Sequence, residues 1–449
     1  MQSIFKRKAY DQLVKWKRLS NGNTAAFLEG ARRIGKSTVA EAFAQKNYAD
    51  YLLIDFASEG PEIRENFRAN LNNLDEFFRL LFLLKGKSLP AGDAVIIFDE
   101  VQLFPLARQA IKALVKDGRY HYIETGSLIS IKKNIRDILI PSEEYKIVMY
   151  PMDFEEFLWA LGDSVTASAI HTAFSKKSPV GEAIHRKIMK TLRTYMVVGG
   201  MPQAVEAYVN GKDYEEIDFI KRSILNLYEE DLHRFDVEEK GRVGAIFKTL
   251  PEQLSSKKRQ FRYALLGQGM RYRRLLDSLD FLAESMIVNL CTQVTVPDVM
   301  MELYAQQSTF KMFMADTGLL ISQTSPKFDA SLYKALIFGS SGANLGMIYE
   351  NMAAQMLTAN GHKLHFHEFK YQPEGKDKEN SYEIDFVILQ GKRICPIEVK
   401  SSAYKAHKSL DSFIAKYQMK IPNRYVLYTK DLHFENGVTY LPLYMAMCL

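Results

Sequence analysis

Short apolar runs separated by longer amphipathic stretches occupy the chain from about residue 25 to residue 150. The runs are Ala25–Leu28, Tyr51–Ile54, Ala94–Phe98, Tyr120–Ile123 and Lys146–Met149. Because hydrophobicity within each run is continuous rather than alternating, the pattern predicts strands that are buried on both faces. Five such strands with helices between them indicate a doubly wound parallel sheet of the α/β class.

The pattern becomes almost entirely helical from about residue 152 to residue 310. Phe154, Phe157 and Leu158 recur at helical spacing, and the stretch Gly199–Pro202 is a break between helices. Several short helices then precede a strand-like run at Met286–Leu290. This order is compatible with a winged helix.

A third, mixed pattern begins near residue 311. A predicted helix at about 346–359 leads into three strand-like runs, followed by another helix and a last strand. Those later elements are predicted at 363–369, 384–389, 394–399, 407–418 and 424–428. The polar segment 371–381 is predicted to be an exposed hairpin loop.

These changes predict a multidomain α/β protein with four parts. They are a parallel-sheet core at 1–150, in which the loop Gly30–Ser37 between the first strand and the next helix indicates a P-loop ATPase, a helical subdomain at 151–235, a winged-helix-like part at 236–310 and an α/β domain at 311–449. The net charge of +6 leaves basic and acidic residues nearly balanced, which favours an anionic partner only mildly. No run of about eighteen apolar residues predicts a membrane span, and three widely spaced cysteines favour a reducing, cytoplasmic location.

The first strand leads directly into a glycine-rich loop that ends in lysine and serine, and a helix follows. This context indicates a P-loop, in which backbone N–H groups and the helix N-terminus face phosphate oxygens. We expect Lys36 to reach the β- and γ-phosphates of ATP and Ser37 to bind Mg²⁺. The predicted ATP-binding residues are Gly30, Ala31, Arg32, Arg33, Ile34, Gly35, Lys36, Ser37 and Thr38.

Two further strand ends carry candidate residues for hydrolysis. Asp99 and Glu100 follow four apolar residues, so Asp99 is predicted to hold the metal through water and Glu100 to act as general base. At the end of the next strand, Thr125 and Ser127 are candidate sensors of the γ-phosphate, and a helix N-cap explains either residue equally well. The candidates for a completing arginine are Arg136, Arg193 and Arg234, between which the sequence does not choose.

A second group of carboxylates lies near the other end of the chain. Asp385 begins one strand, and Glu398 and Lys400 share one face of the next strand because the period of a strand is two. A hairpin would bring Asp385 beside Glu398, and Glu350 on the preceding helix could add a third oxygen ligand for Mg²⁺ or Mn²⁺. Lys400 would then stabilise or deprotonate an attacking water. The spacing is typical of PD-(D/E)xK nucleases, and the alternative for Glu398 and Lys400 is a solvated charge pair on a surface strand.

The whole chain resembles the bacterial and archaeal AAA-type ATPases that carry a C-terminal domain of unknown function, DUF4143. The match is carried by Gly30–Ser37, Ile97–Gln102, Thr125–Ser127, Tyr150–Phe157, Ala315–Leu319, Tyr349–Asn351, Glu383–Phe386 and Ile397–Lys400. The resemblance implies an ASCE-type ATPase core, a helical or winged-helix middle and a restriction-endonuclease-like end. Many such ATPases have threonine after the P-loop lysine, and Ser37 keeps the hydroxyl group.

Three functions are compatible with these residues. The first is an ATPase whose nucleotide state controls DNA or RNA binding or cleavage by the nuclease-like end. The second is a nucleotide-driven switch whose nuclease-like domain is inactive and serves only for partner binding or assembly. The third is a regulator of signalling, which no residue requires. The oligomeric state is left open.

Overall fold

The computed structural model describes residues 5–127, 141–239, 241–256, 258–339, 345–372, 378–402, 407–417, 421 and 423–449. The chain divides into two compact units, of which the first comprises residues 1–150 together with Glu284–Met286, and the second comprises the remainder. The finer division of the second unit at residues 235 and 310 remains a prediction. No helix in the described part of the chain has the length and apolar character needed to cross a membrane.

The first unit is built on a five-stranded sheet in which all neighbouring strands are parallel. Its strands are β1 (Ala25–Glu29), β2 (Asp50–Asp55), β3 (Ala94–Asp99), β4 (His121–Gly126) and β5 (Glu144–Val148), in the order β2-β3-β4-β1-β5. The predicted parallel α/β sheet is therefore confirmed. Burial on both faces is wrong for β5, because β5 is an edge strand whose Tyr145 and Lys146 are exposed.

Helices cover this sheet and complete its core. They are α1 (Lys8–Ser20), α2 (Lys36–Asn47), α3 (Pro61–Asn70), α4 (Leu74–Lys85) and α5 (Pro105–Asp117). A cluster of aromatic rings packs α3 and α4 against the sheet, with Phe67 in contact with Phe77 and Phe98 at centroid distances of 4.9 and 5.6 Å. The order of the strands positions the candidate site. Because β4 lies between β1 and β3, the C-terminal end of β4 falls between the glycine-rich loop and Asp99.

The second unit begins with helices. They are α6 (Phe154–Ala160), α7 (Ser164–Lys176), α8 (Glu182–Val198), α9 (Pro202–Val209), α10 (Tyr214–Glu239), α11 (Arg242–Lys248), α12 (Leu250–Ser255) and α13 (Tyr272–Glu284). The predicted break between α8 and α9 is a close crossing of backbones, since a Cβ at Gly200 would lie 2.1 Å from the carbonyl oxygen of Met152. The buried carboxylate of Asp316 accepts a hydrogen bond from the Gly200 N–H at 2.5 Å.

A mixed eight-stranded sheet forms the rest of the second unit. Its strands are β6 (Val288–Val294), β7 (Ala305–Met314), β8 (Leu364–Tyr371), β9 (Asn380–Gln390), β10 (Arg393–Val399), β11 (Tyr425–Tyr428), β12 (His433–Glu435) and β13 (Val438–Pro442), in the order β12-β13-β11-β10-β9-β8-β6-β7. Its helices are α14 (Thr317–Gln323), α15 (Ala330–Phe338), α16 (Leu345–Ala359) and α17 (Lys408–Tyr417).

The hairpin β6–β7 belongs to the same sheet as the C-terminal strands, because β6 pairs in parallel with β8. The predicted boundary between residues 310 and 311 therefore falls inside β7. The predicted hairpin loop at 371–381 is shorter, since β8 extends to Tyr371 and β9 starts at Asn380, and residues 373–377 lie outside the described part.

Candidate functional sites

The glycine-rich loop has the backbone that a phosphate cradle requires. A Cβ at Gly30 would lie 2.3 Å from the carbonyl oxygen of Met149, so no larger residue fits there without a shift. Gly35 has a φ of 90° and caps the N-terminus of α2. That conformation favours glycine, and the first N–H groups of a helix have no partner within the helix, so they are available to a bound anion.

The P-loop lysine donates hydrogen bonds to backbone carbonyl groups. Lys36 Nζ donates to Gly30 O at 3.1 Å and to Ala31 O at 2.9 Å, and the side chain is 5% exposed. Burial lowers the pKa of Lys36 to about 8, although the nearby negative charges of Glu100 and Asp99 oppose that shift. The ammonium group is thus held inside the loop by neutral acceptors.

Two hydroxyl side chains converge on one carboxylate oxygen of Asp99. Ser37 Oγ donates to Asp99 Oδ1 at 2.7 Å, and Thr125 Oγ1 donates to the same oxygen. This places the predicted metal ligands Ser37 and Asp99 in direct contact. A hydroxyl and a carboxylate are hard oxygen donors, so the residues fit Mg²⁺.

The predicted general base is held by a glutamine. Glu100 has a φ of 56°, and its N–H donates to Thr125 Oγ1 at 3.3 Å. Gln102 Nε2 donates to Glu100 Oε2 and, at 3.3 Å, to Ser127 Oγ, while the Ser127 N–H donates back to Gln102 Oε1 at 3.3 Å. Gln102 therefore connects the two predicted site residues, a role that the sequence analysis missed.

The second group of predicted residues lies where β9 and β10 pair. The antiparallel register ends with Ile397 opposite Phe386, and Glu398 and Asp385 are the residues next to this last pair on their strands. Asp385 Oδ2 accepts the N–H of Val399 at 2.8 Å, and Lys400 Nζ lies 3.5 Å from Glu398 Oε2. Burial raises the pKa of Glu398 to about 7, which the charge of Lys400 opposes.

A buried lysine that the sequence analysis did not consider lies among these carboxylates. Lys311 Nζ is 3.0 Å from Glu350 Oε1, 2.6 Å from Glu383 Oε1 and 3.9 Å from Asp385 Oδ1, and the residue is 0% exposed. Arg259 adds a second cation at 2.5 Å from Glu350 Oε2. Burial by itself would lower the pKa of Lys311, but the three carboxylates outweigh it and raise the pKa above its ordinary value.

The carboxylates near Lys311 do not fit a divalent metal in this arrangement. Among the described residues, no group of three or more His, Cys, Asp or Glu side chains is placed to hold a metal ion. Two of the predicted ligands, Glu350 and Asp385, face an ammonium group instead. Glu350, Asp385 and Glu398 therefore remain only a prediction as a ligand set.

Of the three candidate arginines, the two that the structure describes lie outside the unit that holds the P-loop residues. Arg136 lies outside the described residues. Arg193 is on α8 and Arg234 is on α10, both in the second unit. The Arg234 side chain is 77% exposed and lies 3.8 Å from Asp231. The choice between the three stays open.

Comparison with sequence families identifies the first unit. Residues 22–158 match the family described as "AAA domain", residues 189–327 match a domain of unknown function (DUF8612), and residues 345–445 match a domain of unknown function (DUF4143). Residues 22–158 therefore resemble an AAA domain, and this match supports ATPase activity in the first unit. The resemblance to AAA-type ATPases with a C-terminal DUF4143 region is confirmed, whereas a restriction-endonuclease-like character of that region is not established by these matches.

Three of the solved structures that match the chain illustrate how weak the similarity is, and no curated protein matches the chain. Cdc6p from Pyrobaculum aerophilum is 14% identical, over 75% of this chain and 96% of that one, with a TM-score of 0.26. A STAND protein with a tetratricopeptide repeat sensor from Pyrococcus horikoshii is 13% identical, over 78% and 48%, with a TM-score of 0.25. Protein VC1899 from Vibrio cholerae is 10% identical, over 89% and 95%, with a TM-score of 0.18.

Proposed function

We propose that this chain hydrolyses ATP with Mg²⁺ in its first unit and that the nucleotide state controls nucleic-acid binding by its second unit. The observation that carries the ATPase half is the meeting of Ser37 and Thr125 on Asp99 Oδ1. These hydrogen bonds hold together a metal-binding hydroxyl (Ser37), a metal-binding carboxylate (Asp99) and a residue from the intervening strand (Thr125). Hydrolysis of a bound triphosphate requires such an arrangement.

Each residue then has a defined task. The N–H groups of Gly30–Thr38 hold the phosphates, and Lys36 contacts the β- and γ-phosphates. Ser37 and Asp99 would hold Mg²⁺, which would neutralise phosphate charge. Glu100 accepts a proton from the attacking water, and Gln102 orients that carboxylate. Thr125 and Ser127 respond to the γ-phosphate, Thr125 through its contact with Asp99 and Ser127 through its contact with Gln102.

Replacing the general base tests the hydrolytic role. We expect Glu100→Gln to keep ATP affinity and to lower the hydrolysis rate by about 10²–10⁴-fold, the usual contribution of general base catalysis. Phosphate release and calorimetry on the full chain give the two quantities. Glu65→Gln is the matched control, because Glu65 is an exposed glutamate of the same unit. Hydrolysis by Glu100→Gln at the rate of that control would remove Glu100 from the mechanism.

A concentration of positive charge supports the nucleic-acid half of the proposal. Residues 257–274 contain seven basic residues and no acidic one, which exceeds the net charge of the entire chain, +6. The seven are Lys257, Lys258, Arg259, Arg262, Arg271, Arg273 and Arg274. Arg271, Arg273 and Arg274 are exposed around the start of α13. Clustered arginines on one segment are the electrostatic footprint of phosphate-backbone binding.

The order of elements around this segment is compatible with a winged helix. The helices α11 and α12 come first, then an isolated bridge between Gln260 and Lys311, then α13 and the hairpin β6–β7. In such a module the last helix enters the major groove with its N-terminal residues near the bases. The exposed arginines around the start of α13 suit that position, so duplex DNA is the favoured partner.

Charge reversal tests this assignment. We expect Arg271→Glu/Arg273→Glu/Arg274→Glu to weaken binding of a labelled DNA duplex and to reduce the slope of log affinity against log salt by up to about 3, one for each lost phosphate contact. Fluorescence anisotropy with duplex DNA, single-stranded DNA and RNA measures both. The matched control is Arg186→Glu/Lys187→Glu/Lys190→Glu, which reverses three exposed charges on α8. Equal losses in the two triple variants would point to a general charge effect.

A second candidate function is a switch whose nuclease-like region binds partners without cleaving nucleic acid. The contacts of Lys311 with Glu350 and Glu383 favour it, because the cation is already supplied by the chain. We expect the wild-type protein to leave DNA and RNA intact with Mg²⁺ or Mn²⁺, with and without ATP. Metal-dependent nicking that disappears in Glu398→Ala and Lys400→Ala would instead support an active nuclease.

A further inference from the structure

A thiol, an imidazole and a carboxylate meet in the second unit, far from the carboxylates around Lys311 in sequence. Cys448 Sγ lies 3.5 Å from His171 Nδ1, and His171 Nε2 lies 3.1 Å from Glu155 Oε1. One ring nitrogen therefore faces a nucleophile and the other faces an acid. With the ring proton on Nε2, directed at Glu155, Nδ1 is the acceptor that can take the thiol proton.

Solvent access distinguishes this thiol from the other two in the chain. Cys448 is partly exposed and the His171 side chain is 44% exposed, so a small molecule can reach the pair. Cys291 and Cys395 are only 0% and 1% exposed, and burial raises the pKa of both thiols. Those two thiols therefore stay protonated and shielded, and the reactivity of the chain toward thiol reagents is concentrated at Cys448.

The three side chains come from three separate elements of the same unit. Glu155 is in the first turn of α6, and His171 lies in α7. Cys448 ends the 3₁₀ turn Leu443–Cys448. The side-chain amide of Asn360 donates to two carbonyl oxygens of that turn, at 3.3 and 2.9 Å, and so holds it in place. The fold therefore sets the distance between the thiol and the imidazole.

The arrangement is that of an activated nucleophile, in which a base accepts the proton of the nucleophile and an acid orients the base. Thiolate is the reactive form of cysteine, and an adjacent imidazolium stabilises it. The carboxylate of Glu155 in turn stabilises the imidazolium. The three charges together favour transfer of the proton from Cys448 to His171.

We propose that Cys448 is a reactive thiol, activated by His171 and Glu155, that exchanges with small disulfides. The thiolate attacks one sulfur of the disulfide, so that a new S–S bond to Cys448 forms while the old S–S bond breaks. The leaving thiolate takes up the proton held by His171. Because one disulfide is exchanged for another, the step consumes no further oxidant. The proposal goes beyond the function proposed above and is independent of ATP hydrolysis.

Exchange with glutathione disulfide at pH 6 tests the proposal on the full-length chain without nucleotide, because an ordinary thiol is almost entirely protonated at that pH. Mass spectrometry follows the mixed disulfide at each cysteine. We expect His171→Gln to slow the reaction of Cys448 about tenfold, since the proton acceptor is lost, and Glu155→Gln to slow it less. His433→Gln is the matched control and should leave the rate unchanged, because His433 is also a partly exposed histidine near a glutamate, 3.5 Å from Glu435.

A second comparison needs no variant. In the wild-type chain we expect Cys448 to react faster in the folded protein than in urea, although unfolding exposes it fully, because only the folded chain places His171 beside it. Labelling of Cys291 or Cys395 identifies unfolded molecules in any sample. The proposal is overturned if Cys448 of the folded wild type reacts no faster than in urea, or if folded His171→Gln reacts at the wild-type rate. The ATPase and DNA-binding assays above test the proposed function separately.

Discussion

Two buried lysines, one in each unit, differ in the groups that surround them. Lys36 donates to two backbone carbonyl oxygens, and burial lowers its pKa to about 8. Lys311 contacts three carboxylates, which raise its pKa above its ordinary value against the effect of burial. A lysine held by neutral acceptors can still offer most of its charge to a phosphate, whereas one paired with carboxylates has already been neutralised.

Burial alone does not separate a ligand-binding lysine from a structural one. Lys221 also has a pKa lowered to about 8 by burial, and it donates to Val197 O, Gly318 O and the hydroxyl of Tyr333. What distinguishes Lys36 is its place in a glycine-rich loop at a helix N-terminus. The surroundings of each ammonium group, rather than its pKa, therefore assign its role.

Removing each lysine gives the largest expected difference. We expect Lys36→Ala to reduce ATP affinity and hydrolysis by at least about a hundredfold, because a buried charge contact with the phosphates is lost. Lys311→Ala should keep ATP affinity within about twofold. Calorimetry and phosphate release on folded variants measure both. Unchanged nucleotide affinity in Lys36→Ala would contradict the P-loop assignment, and the proposed difference in role between Lys36 and Lys311 would fail with it.

Smaller effects on the hydrolysis rate are expected from the residues around Asp99 in the first unit. We expect Thr125→Val to lower the hydrolysis rate about tenfold and to leave ATP affinity nearly unchanged, because the lost hydroxyl contacts Asp99 directly. Ser127→Ala should have a smaller effect, since Ser127 reaches Glu100 only through Gln102. Single-turnover hydrolysis separates the two variants. A larger loss in Ser127→Ala would make Ser127 the sensor.

The nucleotide site could be predicted from the sequence because its signals are local. The glycines, Lys36 and Ser37 are contiguous, and Asp99 ends a continuous apolar run. The only long-range step was that the carboxyl ends of parallel strands meet at one edge of the sheet. Gln102 was missed because it touches Glu100 and Ser127 by side-chain geometry that no spacing encodes.

The pairing of Lys311 could not be predicted in the same way. Its partner Glu350 is 39 positions away and Glu383 is 72 positions away. The predicted boundary at 310/311 also separated Phe310 from Lys311, although both lie on β7, whose hairpin partner joins the C-terminal sheet. A lysine within an apolar strand is visible in the sequence, but its partners depend on the sheet order.

The pH dependence of ATP binding isolates the contribution of Lys36. The charged lysine binds the phosphates, and in the nucleotide-free protein its pKa is lowered to about 8. Above that pH the free protein must take up a proton to bind ATP. We expect ATP affinity to be level just below pH 8 and to fall by up to about tenfold per pH unit above it. Calorimetry from pH 7 to pH 9.5 measures the slope.

The stability of the nucleotide-free protein should change in the opposite direction over the same range. The unfolded chain keeps Lys36 protonated up to about pH 10.5, its ordinary value, so between pH 8 and pH 10.5 the unfolded state binds more protons. This contribution to stability therefore rises with pH while ATP affinity falls. Lys221 adds to the stability change but contacts no part of the P-loop, so Lys221→Met should flatten part of the stability profile and leave the affinity profile unchanged. If the pH profile of ATP affinity flattens in Lys221→Met, the proton taken up on ATP binding belongs to Lys221 in the second unit. The assignment of phosphate binding to Lys36 would then lose its support.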